Sequence, residues 1–374
     1  MATITGVPLD LKGLTLEELE AFIRQTGEPA YRGRQIARWV YQAGALSFAE
    51  MTDLPAALRT RLAETAQLTA LSALTAVRAD GGDTVKYLVR LADGATVETV
   101  FMRYEDGRRS VCLSTQVGCG MGCTFCATGL AGLTRNLTAA EIIDQVLLVQ
   151  REQGERVTNV VFMGMGEPLA NYAATLRALR VLNAPYGPGI GMRHLTVSTV
   201  GLVPQIRMLA QERLQLTLAV SLHAPDDELR SALVPVNRRW PIAELLAASA
   251  DYVAQAGRRV SFEYVLLEGV NDAPAQGEHL GRLLAEHART AGETPAAAWH
   301  VNLIPWNPVY GMQYRRPARE RVEAFLRGLE RHGVPATVRV ERGVEIDAAC
   351  GQLQRTRGLG VPGAEVSEAD AHRS

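Results

Sequence analysis

Apolar positions change their period near residue 110. Before it the chain reads mainly as helix. Thr15-Leu16-Glu17-Glu18 has the form of a capping box, and Gly27 is placed to end the helix it opens. A second helix is predicted over residues 31–43, with Ile36, Trp39 and Val40 on one face. Residues 85–91 and 96–103 read as a hairpin across Ala92-Asp93-Gly94. From about Ser110, short β-rich runs alternate with helices. The candidate strands are residues 111–115, 157–163, 194–199, 216–222, 260–267 and 300–304. Thr138 and Glu141 form another capping box, opening a helix that runs to about residue 152. Such alternation means an α/β fold with a parallel sheet. Six repeats fit a partial barrel or a doubly wound sheet, and either places chemistry at the C-terminal ends of the strands. Residues of functional type fall there: the run 164–168, Ser198, Ser221 to His223, and Asn307. The pattern divides the chain into an N-terminal accessory region (1–92), a core (93–345) and a C-terminal segment (346–374). The polar, Gly/Ala-rich tail from residue 358 is expected to be mobile.

Composition narrows the class without naming a function. Of 374 residues, 47% are hydrophobic and 21% charged, which excludes a disordered chain or a fibre. No run of about 18 apolar residues occurs, so no membrane span is expected. The start, Met1-Ala2-Thr3-Ile4-Thr5-Gly6, has no signal-peptide pattern, and the expected compartment is the cytoplasm. A net charge of −1 gives no support for bulk nucleic-acid binding. A local patch remains open. Arg32, Arg34 and Arg38, interleaved with Trp39 and Tyr41, fit an RNA-facing surface and fit equally a solvated helix face over an aromatic core stripe.

The five cysteines carry more. Four of them, Cys112, Cys119, Cys123 and Cys126, crowd into fifteen residues, and Cys350 stands apart. An odd count in a large chain argues against a disulfide scaffold. Cys119-x3-Cys123-x2-Cys126 offers three thiolates on one glycine-rich loop, a set suited to iron–sulfur or zinc. Structural zinc wants a fourth ligand, and none follows at finger spacing. Three thiolates on a four-iron cluster leave one iron open.

This spacing resembles that of the radical S-adenosylmethionine (SAM) enzymes. The resemblance implies a partial (β/α)6 barrel, one four-iron, four-sulfur (4Fe-4S) cluster on Cys119, Cys123 and Cys126, and SAM bound at the open iron. Gly164-Met165-Gly166-Glu167-Pro168 looks like the family element in which Gly166 admits SAM and Glu167 holds its ammonium. Ser198, Ser221, Leu222, His223 and Asn307 match further SAM-contacting positions. Singly, each would pass for a satisfied polar or buried residue at a strand end.

From about residue 12 to residue 353 the chain is also similar to the bacterial dual-specificity RNA methyltransferases, which methylate C2 of adenine. The resemblance implies an adenosine of 23S rRNA in the peptidyl-transferase centre as substrate, with an adenosine beside the tRNA anticodon as a second. The N-terminal region would then contact RNA. It implies two SAM per turnover and a reductant such as flavodoxin. Cys350, in Ile346-Asp347-Ala348-Ala349-Cys350, would carry the methyl group, Cys112 would resolve the RNA adduct, and Glu98 would accept the C2 proton. A lone cysteine is otherwise a small buried hydrophobe. Three alternatives stand beside this reading. They are a related adenine-C8 methyltransferase of the antibiotic-resistance type, a radical-SAM activase acting on protein, and a non-catalytic iron–sulfur or zinc module that binds RNA.

Overall fold

The computed structural model describes residues 8–130, 132–290, 299–340 and 342–353. The tail expected to be mobile lies outside them. The helix opened by Thr15 spans Leu16–Gln25, with both capping-box hydrogen bonds made. The second helix forms in two pieces, an α segment Tyr31–Ala37 and a π segment Arg38–Gln42. A third helix, Ala56–Thr65, completes the helical unit.

Ten strands form one sheet whose spatial order is the chain order. They are β1 (Ser72–Ala79), β2 (Thr84–Arg90), β3 (Thr96–Arg103), β4 (Arg109–Cys112) and β5 (Asn159–Phe162). β6 (Leu195–Thr199), β7 (Thr217–Ser221), β8 (Val260–Leu266), β9 (Trp299–Pro305) and β10 (Ala336–Val338) follow. β1 to β4 pair antiparallel and β4 to β10 pair parallel. The six expected parallel strands are all present within a residue or three of their expected ends. A seventh, β10, was not foreseen; at three residues, after Pro335, it is too short to show a period. β2 pairs with β3, so the sheet continues across the expected boundary at residue 92. Residues from β3 through β10 line a single channel, from Met102 and Ser110 round to His300 and Thr337. The sheet therefore curls into a partial barrel.

Helices cover the outer face. Ala139–Gln153 starts in the expected capping box and stops at Gly154, which takes a left-handed conformation (φ 66°). The helical unit docks on this helix through a buried ion pair, Lys12 Nζ to Asp144 Oδ1 at 2.7 Å. Asp144 Oδ2 accepts from the Leu71 N–H, and Lys12 O from the Tyr41 hydroxyl, so the groups buried with the pair are satisfied. The three arginines of the second helix are engaged locally. Arg34 pairs with Glu20 (2.9 Å), Arg38 pairs with Asp53 (2.6 Å), and Arg32 bonds Gln35 (2.7 Å). Trp39 donates to Asp53 (2.5 Å), and Tyr41 is in the core. Among the described residues no helix is long and apolar enough to cross a membrane.

Candidate active site

Side chains alternate across a strand, so register decides what meets inside the barrel. Cys112 lies beside Val161, Val161 beside Thr196, and Ser198 therefore shares the face of Cys112. Ser198 pairs with Ala219 and Ser221 with Glu263, which carries the same face across β8. Val100 sits opposite Cys112, so Glu98, two residues back, shares it too. Parity alone thus gathers residues far apart in sequence.

At the C-terminal ends of the strands is a cavity bordered by Cys119, Cys123 and Cys126. Gly166, Glu167, Ser198, Ser221, His223 and Cys350 line it as well. The cysteine loop turns at Gly118 (φ 78°), where an added Cβ would fall 2.0 Å from Gly132 O. Across the cavity the 164–168 turn packs against residues 113–116, which follow β4. A Cβ on Gly166 (φ 103°) would stand 2.6 Å from Gln116 Cβ. Ser114 ties this turn to β3, accepting from Met165 N and donating to Glu98 O (2.9 and 2.6 Å).

Burial sets the electrostatics. Cys119 is pushed up to about 11 and Cys123 higher still, so burial favours their thiol forms. Metal binding must displace those protons. Among the described residues no three His, Cys, Asp or Glu side chains converge tightly enough for a single ion. Glu167 is buried and pushed up to about 7; its oxygens accept from Leu169 N (3.0 Å) and Val200 N (2.8 Å), which offsets part of the desolvation. His223 has a positive φ of 61°, a costly conformation outside glycine. Its Nδ1 accepts from Val265 N (3.0 Å), and burial, with Arg230 nearby, lowers its pKa to about 3. It is therefore neutral, with the proton on Nε2. Phe125 packs edge-on against its ring, centroids 4.7 Å apart. Three soft thiols facing a carboxylate and a neutral imidazole are donors that fit a cluster and a cationic cosubstrate.

Leu222 is fully buried; its contribution is backbone, its N–H to Glu263 O (3.0 Å) and its carbonyl to Arg230 Nε (3.1 Å). Asn307 lies on the far side of Cys350. It donates to Cys350 O (3.3 Å) and borders a second cavity with Cys112 and Cys350. Its buried Oδ1 has no hydrogen-bond partner among the described residues. Cys350 borders both cavities, and its proximity adds to the burial that pushes Cys112 up to about 12. Both thiols are free. Glu98 is buried beside Lys86, Nζ to Oε1 at 3.3 Å.

Three residues escaped sequence reasoning. Arg230, fully buried, donates to Leu222 O, Val200 O, Ser221 O and Asn237 Oδ1 at 2.7–3.1 Å, and so joins the ends of β6 and β7. Nothing in its sequence neighbourhood marks it. Glu263 does carry a signal, a charge in the middle of the apolar run Val260–Leu266. Arg339, just past β10, borders both cavities.

Residues 9–68 match the ribosomal RNA large subunit methyltransferase N-terminal domain family, and residues 113–277 match the radical SAM superfamily. A protein of Pelotomaculum thermopropionicum, described as "Probable dual-specificity RNA methyltransferase RlmN", is 53% identical over 94% of this chain and 93% of its own length. One of Chloroflexus aurantiacus with the same description is 54% identical over 90% of each chain. The chain belongs to the RlmN family of radical SAM methyltransferases. The crystal structure of a radical SAM methyltransferase from Sphaerobacter thermophilus is 51% identical and superposes with a TM-score of 0.87, covering 93% of this chain and 100% of that one. Membership makes this chain an RNA-modifying enzyme. It implies a 4Fe-4S cluster and SAM, for which the thiol loop and the Glu167 wall are the fitting residues.

Proposed function

We propose that this enzyme methylates C2 of an adenosine in the peptidyl-transferase centre of 23S rRNA, and an adenosine beside the tRNA anticodon. The observation that carries the reading is the place of Cys350, which borders the cavity of the three cluster thiols and the cavity of Cys112. One sulfur can then take a methyl group on one side and be attacked by a second sulfur on the other.

The chemistry asks for such a pair. Adenine C2 is an aromatic C–H carbon with no lone pair, so polar methyl transfer fails there. A cluster held by Cys119, Cys123 and Cys126 would supply the electron that cleaves SAM reductively and so starts radical chemistry, and would take that electron back as the adenine ring regains its aromaticity. Glu167, Ser198, Ser221, His223 and the Leu222 backbone would hold SAM, and Asn307 would place the Cys350 segment. Cys350 takes its methyl group from a first SAM, so a turnover uses two. It then holds that carbon, which gives up one hydrogen atom to the radical made from the second SAM and becomes bonded to C2. Glu98 accepts the C2 proton, and Cys112 attacks the Cys350 sulfur to release the methylated RNA. The resulting disulfide is returned to two thiols by a reductant such as flavodoxin. The adenine must leave its stack to reach the barrel, and the N-terminal helical unit would contact RNA.

Cys112→Ala tests this directly. It should accumulate RNA bonded to the Cys350 peptide through one carbon, detected by mass spectrometry after nuclease digestion. Normal turnover, or an adduct on another residue, would overturn the reading. A methyl group found on C8 of ribosomal adenosine would assign the chain to the alternative specificity.

A further inference from the structure

The Arg339 N–H donates to Leu303 O (2.8 Å), which anchors the residue beside β9. Its side chain borders the cluster cavity, the Cys112–Cys350 cavity and the channel inside the lower barrel, and so stands where the three meet. A guanidinium carries five N–H donors. These are poorly matched: Nη1 lies 3.8 Å from Met163 Sδ and 4.0 Å from Glu263 Oε2. That carboxylate oxygen is buried and has no hydrogen-bond partner among the described residues. Burial also pushes Glu263 toward its neutral form. A bidentate pair would have tied the cation to Glu263; this loose one leaves the charge at the border of the cavities that Cys350 and Cys112 line. Cys350 is the group that raises Arg339 most, with Glu263 and Cys112 adding to it. Arg339 in turn opposes the burial that raises Cys112. The other ionisable groups bordering the two cavities are the cluster cysteines, Glu167, His223, Tyr104 and Arg342. Arg342 is already engaged, stacked on Tyr104 at 4.5 Å and donating to Arg103 O (3.0 Å).

We propose that Arg339 is a positioning residue for the two outlying thiols: its guanidinium holds the negative charge of whichever cysteine, Cys350 or Cys112, is ionised. The inference rests on the carrier-and-resolver reading and deepens it, because one cation then serves both steps in which a thiolate attacks. In the first, the Cys350 thiolate pair forms the sulfur–methyl bond as the methyl–sulfonium bond breaks; its proton has gone to solvent. In the last, the Cys112 thiolate forms the S–S bond as the bond from Cys350 sulfur to the RNA-borne carbon breaks. The released electron pair stays on that carbon, which takes a proton to become methyl.

The test is alkylation of the cluster-loaded protein by iodoacetamide under anaerobic conditions. The Cys350 and Cys112 peptides are quantified separately across a range of pH, with neither SAM nor RNA present. Because thiolate is the reactive form, a unit rise in thiol pKa lowers the rate about tenfold below the midpoint. Arg339→Met should slow Cys112 alkylation by about that factor near neutral pH and move its profile to higher pH, with the same plateau. Arg339→Lys should restore most of the rate. Should the Met variant not fold, Arg339→Gln, polar and uncharged, gives the same comparison. Unchanged profiles would overturn the proposal, and so would equal slowing at every pH, which reports access instead of charge. Failure of Cys112→Ala to trap RNA would sink the carrier-and-resolver reading and leave these profiles untouched, so the two failures are distinguishable.

Discussion

Around the cysteine loop the strand ends are locked by side chains that each hold several backbone groups. Arg230 binds three carbonyls. Asn271 takes an N–H and donates to two carbonyls between β8 and the His223 turn. Residues 343–353, which carry Cys350, are held otherwise. They contain one short 3-10 turn, Val344–Ile346, and left-handed backbone at Gly343, Asp347 and Gly351. Single hydrogen bonds tie them to several different elements. Ala127 N reaches Gly351 O (2.8 Å), Thr128 Oγ1 reaches Leu353 O (2.5 Å), Gln352 Nε2 reaches Pro308 O (2.8 Å) and Lys86 Nζ reaches Asp347 O (3.3 Å). A cofactor wall gains from fixed geometry. A sulfur that serves two cavities gains from a tether whose contacts break one at a time.

The largest effects should come from the locked side. Cys119→Ala, Cys123→Ala or Cys126→Ala removes one of three thiolates and should abolish SAM cleavage, with iron falling well below about four per chain in anaerobically reconstituted protein. Full iron loading with intact cleavage in any of them would break the assignment. Next is Arg230→Met, which leaves four acceptors without their donor. Stripping a buried charged network costs about 3 kcal/mol or more, to be read as a lower urea midpoint. A midpoint equal to the parent's would show that the strand ends hold together without it.

Legibility in the sequence follows the same division. The repeat pattern and capping boxes are local signals, so the six parallel strands and the helix after Thr138 could be read from them. The cysteine spacing is local as well. Arg230, Asn271 and Gln145 act on backbone groups of other elements, and no spacing along the chain encodes such a contact. Gln145, for instance, accepts from Thr99 Oγ1 and Ser114 N (both 2.8 Å). The docking of residues 343–353 was legible only through family resemblance, because an irregular segment has no period to read.

Glu167 gives an intermediate effect with a pH signature. Glu167→Gln keeps the shape and removes the charge, and should weaken SAM binding by about 1–3 kcal/mol, roughly five- to 150-fold, while leaving the cluster. Burial raises the folded-state pKa to about 7, so the carboxylate form grows as pH climbs through neutrality. Affinity for the SAM cation should rise with it in the parent and stay flatter in the Gln variant. The stability linkage has the opposite sign. A carboxyl whose pKa is raised on folding favours the folded state most below its unfolded value, and that contribution is lost as pH rises through 7. Calorimetric titrations and thermal melts between about pH 5.5 and 8 would read both, and parallel curves for parent and variant would remove Glu167 from the site.

The smallest effect tests the tethered side. Lys86 Nζ lies 3.3 Å from both Glu98 Oε1 and Asp347 O, and so links the expected proton acceptor to the Cys350 segment. Lys86→Met keeps most of the packing and removes both contacts. A hydrogen bond to a charged donor is worth about 1–2 kcal/mol here, so amide exchange in residues 343–353 should quicken roughly five- to thirtyfold if that segment opens on its own. Exchange in β6, β7 and β8 should not change, because Arg230 and Asn271 hold those strand ends independently. Faster exchange spread evenly over the barrel would mean that the two regions open together, and the contrast between a locked wall and a separable tether would fail.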